Sequence, residues 1–185
     1  MGAWNGWYHA TTGTYGTWLP GDPRGWRARH HREHVEGDYR KPPPAGRYDG
    51  LHATARARLL RGPVHLTPPQ RQLGGQALVE MLLQEGAEAA ALSLDAVHMH
   101  ALVRFGPAPA RTALGKAKQH AWHVLRAAGH VGKVWAERGR ARPVASEGHW
   151  RRTRQYILDH AQKGAWVWTS AEGVHWTPTV RTTDR

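Results

Sequence analysis

The run VHMHALVRF at 97–105 constrains the fold more than any other segment of this chain. Its odd positions, Val97, Met99, Ala101, Val103 and Phe105, are apolar; its even positions are His98, His100, Leu102 and Arg104. Period-two alternation predicts a β-strand with the odd set in a core and both histidines on the opposite face. Pro107 and Pro109 end it. A strand needs hydrogen-bonding neighbours, and other segments supply candidates. WYHATTGTYGTW at 7–18 is rich in Thr, Tyr and Trp, which predicts a first strand. AAALSL at 89–94 predicts a short apolar strand, and Asp95-Ala96 a tight connection into the next. KVWAERGRARPVA at 133–145 predicts one strand or a hairpin, and 165–180 a short terminal hairpin.

Helices alternate with these strands. Thr67-Pro68-Pro69-Gln70 combines a capping hydroxyl, proline in the first turn and Gln three residues on. The helix it opens has an expected core stripe of Leu73, Ala77, Met81 and Leu82, and Gly86 stops it. A second helix over 110–128 carries Leu114, Ala117, Ala121, Leu125 and Ala128 on one face, with Lys116, His120 and His123 on another. A third spans 147–163, ending before Gly164. Residues 20–63 are rich in Pro and Gly, show no periodic element and read as a long insertion. The order β, α, β, β, α, β, α predicts an α+β sandwich on an antiparallel sheet, one domain over 1–185.

Composition narrows function by exclusion. Cysteine is absent, which removes disulfides, zinc fingers, iron–sulfur clusters and cysteine nucleophiles. No run of 18 apolar residues exists, and MGAWNGWYHA lacks the pattern of a secretory signal, so a soluble intracellular protein with no membrane partner is expected. The net charge is +12 with a pI near 11, which points to a polyanion, most often nucleic acid. Between Arg111 and Arg154 eleven Lys/Arg face two acids, Glu137 and Glu147, a local charge of +9 that predicts a phosphate track. Lys116, Lys118, Arg138, Arg140, Arg142, Arg152 and Lys163 are the candidate nucleic-acid contacts.

Two short patterns carry chemistry. His98 and His100 share a strand face about 6.6 Å apart at Cα, so their imidazoles can converge on one metal; the bland alternative is two histidines on a half-exposed sheet. On the third helix Tyr156, His160 and Lys163 fall at i, i+4 and i+7, presenting phenol, imidazole and ammonium together. Gln162, at i+6, points elsewhere, which favours His160 as a third ligand; the bland alternative is a tyrosine packed beside unrelated polar groups.

VHMHALVRF, the Lys-bearing helix after it, VWAERG and then QYILDHAQKG resemble the single-tyrosine HUH transposases, which include insertion-sequence and REP-associated tyrosine transposases. WYHATTGTYGTW resembles the opening strand of that family, so the likeness covers roughly 4–19 and 64–168. The resemblance implies a ferredoxin-like α+β domain in which His98, His100 and His160 hold a divalent metal, Mg²⁺ or Mn²⁺, and Tyr156 attacks a phosphodiester. It implies a 5′-phosphotyrosine intermediate, single-stranded DNA flanked by hairpins as substrate, and a cytoplasmic, prokaryotic setting. It allows a homodimer that exchanges the tyrosine helix as well as a monomer. The alternative reading is a non-catalytic nucleic-acid-binding module of the same fold. A third reading is a metallohydrolase built on His30-His31-Arg32-Glu33-His34, which fits H-x-x-E-H inside the insertion. Trp18, Trp26 and Trp150 are either packing residues or stacking platforms for bases.

Overall fold

The computed structural model describes residues 2–26 and 42–170, with Arg138 described by its backbone alone. Its strands are β1 (Trp7–Thr14), β2 (Glu88–Leu94), β3 (His98–Arg104), β4 (Trp135–Pro143) and β5 (Trp166–Thr169). Its α-helices are α1 (Asp49–Ala57), α2 (Pro68–Gln84), α3 (Ala110–Ala127) and α4 (Glu147–Asp159). The chain divides into two units, one of Met1–Thr14 with His65–Arg185, the other Tyr15–Val64.

The larger unit is an α+β sandwich on a five-stranded antiparallel sheet of order β4-β1-β3-β2-β5. Its first four strands, with α2 and α3 as the connecting helices, follow the βαββαβ path of a ferredoxin-like fold. The alternation in β3 holds: Met99, Ala101 and Val103 are fully buried. Leu102, on the histidine face, is buried as well, because α4 covers that part of the sheet through Ile157. The other face is covered by α2 and α3, and β2 is buried on both sides from Ala89 onward. The segment 133–145 forms one strand, not a hairpin. At the C-terminal end the described residues form one strand, β5, paired with β2; the rest of the expected hairpin lies outside them.

The capping box expected at α2 is present. Thr67 Oγ1 accepts from the Gln70 amide, and the Gln70 side chain accepts from the Thr67 amide at 3.0 Å. The stripe behind it is shifted from the expected one. Leu73 is exposed, Met81 is half-buried, and the buried set is Gly74, Gly75, Ala77, Leu78, Val79 and Leu82. The cause is close approach. A Cβ at Gly74 would stand 3.3 Å from Leu94 and Leu125, and one at Gly75 would overlap the Trp166 indole. Two glycines that look like helix weaknesses are the contact face. In α3 the stripe Leu114, Ala117, Ala121 and Leu125 is buried as expected, while Ala128 is exposed.

The smaller unit contains a helix, α1, where no periodic element was expected. None of its residues is buried, and Leu51 is the one large apolar side chain in DGLHATARA, so no core stripe announced it. Trp18 donates its indole N–H to the Gly25 carbonyl at 2.8 Å and lies under the Arg24 guanidinium. Arg24 in turn forks onto Asp22. Trp26 is buried edge-on against Tyr48. Trp26 therefore packs within this unit, whereas Trp18 is 49% exposed.

The Gly75–Trp166 contact generates a test. Alanine's better helix propensity returns about 1 kcal/mol, less than the overlap with a rigid, fully packed indole costs. Gly75→Ala should lose about 1–2 kcal/mol net, read as a lower urea midpoint, whereas Gly74→Ala, which meets flexible leucine tips, should lose less. An unchanged midpoint in Gly75→Ala would show that the indole yields freely.

Candidate active site

Strand register assembles one wall of the site. Residues directly opposite on antiparallel strands share a face. Thr11 lies opposite His100 and His9 opposite Leu102 across β1–β3; Arg140 and Arg142 lie opposite Thr11 and His9 across β1–β4. His9, Thr11, His98, His100, Arg140 and Arg142 therefore occupy one side of the sheet, the side α4 partly covers. That helix starts at Ser146, whose hydroxyl accepts from the His149 amide. Its apolar face seats Ile157 on Ala91, Leu102 and Val144, with Trp7 and Trp150 packed edge to face beside them. Trp150 is thus a packing residue.

With Ile157 anchored, Tyr156 and His160 emerge together at the helix end nearest the two strand histidines. The helix tightens into a 3₁₀ turn over His160–Lys163 and stops at Gly164, which adopts φ +80°. The Tyr156 ring lies 5.3 Å from His100 and 4.6 Å from His160 between centroids. His100 lies 4.8 Å from His160 and 6.3 Å from His98. His9 enters the same group, 5.4 Å from His100 and 6.1 Å from Tyr156.

Each of the three candidate ligands presents its Nδ1 to a neighbour. His160 Nδ1 stands 2.8 Å from the Tyr156 carbonyl, which can only accept, so that nitrogen carries a proton. His100 Nδ1 is 3.2 Å from His9 Nε2. His98 Nδ1 is 3.9 Å from Asp95 Oδ2, while Asp95 Oδ1 accepts from the Val97 and His98 amides and so pins the tight connection into β3. Anchoring one ring nitrogen and leaving the other outward is how ligating histidines are held. Among the described residues, no three His, Asp or Glu side chains close around a single ion position. The donor chemistry, imidazoles with the Asp95 carboxylate behind them, is of a kind that takes a divalent cation.

Electrostatics disfavour the charged form of two of these rings, His9 and His100. Burial, with the positive charge of Arg142 next, lowers the His9 pKa to about 4. Burial, then its neighbours His160, His9 and His98 and finally Lys163, lowers that of His100 to about 3. Burial, then the Asp95 carboxylate, raises the Tyr156 phenol above its ordinary value of 10. Unaided, that phenol is a poorer nucleophile at neutral pH than a free tyrosine.

The basic residues separate. Arg140 and Arg142 are exposed on the histidine face, and Lys163 is exposed close enough to act on His100. Arg152 is exposed on α4, one turn before Tyr156. Lys116 and Lys118 are not brought to the site. Lys116 pairs with Glu85, and Lys118 donates to the Ala136 carbonyl at 2.6 Å, both on the side of the sheet that α3 covers. The Arg138 side chain and the cluster His30–His34 lie outside the described residues. Sequence reasoning missed His9 and the role of Asp95. His9 sits two residues from Trp7 and Thr11 in a segment where both alternating sets contain Thr, so no period singled it out.

No family model and no curated protein matches this sequence. Among solved structures, one described as the REP-associated tyrosine transposase bound to a REP hairpin is similar, with a TM-score of 0.50 and 15% identity over 91% of this chain and 70% of that one. The likeness is one of fold: this chain has the α+β architecture of that transposase. Among the described residues, no helix is long and apolar enough to cross a membrane.

The lowered histidine pKa values predict a pH dependence of stability in the metal-free protein. Unfolded, both imidazoles titrate near 6.5; folded, they stay neutral down to about 4 for His9 and about 3 for His100. Within that window the unfolded chain binds more protons, so stability falls as pH drops from about 6.5 toward 4. Denaturation in EDTA at stepped pH should show that loss, and His100→Phe should flatten it. A wild-type profile that is level between pH 6.5 and 4 would mean that the rings are solvated.

Proposed function

We propose that this chain is a metal-dependent single-stranded DNA endonuclease and strand transferase that acts through Tyr156. The observation that carries the reading is the placement of the Tyr156 ring 5.3 Å from His100 and 4.6 Å from His160 within one chain. A module that only binds nucleic acid has no need of a phenol facing that set of imidazoles. The fold relation to a tyrosine transposase bound to a REP hairpin supports the same reading.

In this reading His98, His100 and His160 hold Mg²⁺ or Mn²⁺ through their outward nitrogens. The cation, when bound, withdraws charge from the scissile phosphate and orients it. Tyr156 Oη forms the new bond to phosphorus, the bond from phosphorus to the 3′ oxygen breaks, and the phenolic proton is lost as the leaving oxygen gains one. The products are a 5′-phosphotyrosine and a free 3′-OH, and the retained ester energy lets another 3′-OH reverse the step without ATP. Arg140, Arg142 and Lys163 flank the imidazoles and hold the strand by its phosphates. A strand flanked by hairpins is the proposed substrate.

Two experiments test this. Wild type with Mn²⁺ and a library of hairpin-flanked single strands should give a protein–DNA adduct that survives denaturant; EDTA or Tyr156→Phe should abolish the adduct and leave binding intact. An adduct from Tyr156→Phe would assign the attack elsewhere, and salt-sensitive binding without any adduct from wild type would identify the non-catalytic module. For binding, Arg142→Ala should weaken affinity for single strands and reduce the salt slope by about 0.7, the value of one phosphate contact, while Lys116→Ala should change neither. Equal effects from the two substitutions would mean that the charge acts as a diffuse field.

A further inference from the structure

The β1 histidine belongs to none of the motifs that led to the site, yet it touches the residue at its centre. His9 Nε2 lies 3.2 Å from His100 Nδ1, and the two rings meet end to end, their centroids 5.4 Å apart with 30° between their planes. The contact follows from register: His9 stands opposite Leu102, one step along the same sheet face from the Thr11–His100 pair. The neighbouring strand β4 places Arg142 on the other side of His9. Among the described residues His100 Nδ1 meets His9, whereas His160 Nδ1 meets the Tyr156 carbonyl and His98 Nδ1 stands 3.9 Å from Asp95 Oδ2.

We propose that His9 is a positioning residue for the site: its Nε2 accepts the His100 Nδ1–H, holds that ring in the tautomer whose Nε2 lone pair faces the metal, and fixes its plane. This rests on the metal-dependent reading above. Coordination through His100 Nε2 requires that the one proton of the neutral ring sit on Nδ1, and a proton there needs an acceptor. In this part of the sheet the acceptor is a second imidazole, whose own proton then sits on its Nδ1. An outer acceptor of this kind contributes about 10–100-fold in metal affinity.

The test uses the full chain without DNA, so that it does not depend on finding a cognate strand. His9→Phe keeps an aromatic ring on β1 and removes the acceptor; His9→Gln restores an acceptor near the position of the imidazole Nε2. Mn²⁺ titration followed by calorimetry should give a dissociation constant about 10–100-fold higher for His9→Phe, with most of the loss recovered in His9→Gln. In metal-free wild type, ¹⁵N NMR should show His100 protonated at Nδ1, and in His9→Phe a mixture of tautomers. Should His9→Phe fail to fold, as judged by circular dichroism, the wild-type tautomer and the His9→Gln affinity decide the matter.

Outcomes that overturn the proposal differ from those that overturn the metal reading. Wild type that binds Mn²⁺ while His100 carries its proton on Nε2, or His9→Phe that binds as tightly as wild type, removes the role of His9 alone. His9→Gln as weak as His9→Phe, with the His100 tautomer preserved, would make His9 a ligand itself and not a positioning residue. Wild type that does not bind Mn²⁺ removes the metal reading and the role of His9 with it.

Discussion

Everything at the site depends on unequal coverage of one sheet. On one face α2 and α3 bury Met99, Ala101 and Val103 completely, and glycines in α2 let that layer approach within contact of Leu94, Leu125 and Trp166. On the other face a single helix, α4, covers the sheet around Leu102 and Ala91 and ends beside His100. The first face supplies the burial that makes β3 rigid. The second leaves the polar half of the same strand open beside a helix end. A strand hydrogen-bonded on both sides and packed from behind cannot shift its register without turning its histidines into the core.

That rigidity gives the imidazoles their chemical character. Neutral rings are needed for metal binding, and burial among basic neighbours makes protonation of His9 and His100 unfavourable until well below neutral pH. The same environment raises the Tyr156 phenol, so Tyr156 is placed and protected without being activated. The proposed division of labour follows: the protein orients the nucleophile and holds neutral donors, and activation is left to a cation that acts on the phosphate. The exposed Arg140 and Arg142 of β4 add positive charge on the histidine face.

Charge counted along the chain proved a poor guide to charge in space. Lys116 and Lys118 belong to the most basic stretch of sequence, yet one is paired with Glu85 and the other satisfies backbone carbonyls at the start of β4. Arg140 and Arg142, from the same stretch, face the histidines because period-two alternation in a strand sends both to one side. A helix and a strand in one basic run thus deliver their charges to opposite layers of the sandwich.

Local pattern was legible in the sequence wherever one physical rule decided the outcome. Alternation over 97–105 placed β3 and the face of its histidines, the Thr67–Gln70 box placed the start of α2, and the i, i+4 spacing placed Tyr156 with His160. The α+β class followed from the order of those elements. What tertiary structure alone decided was whatever depends on a partner distant in sequence. The contact of His9 with His100 spans 91 positions and exists only through the β1–β3 register. The buried stripe of α2 was misplaced because its glycines owe their position to Trp166 and Leu125, and α1 stayed hidden because it carries one large apolar residue, Leu51, and buries none. Short-range spacing is set by backbone geometry and can be read in one dimension. Register and close approach are set by the packing of surfaces that meet only when the chain has folded.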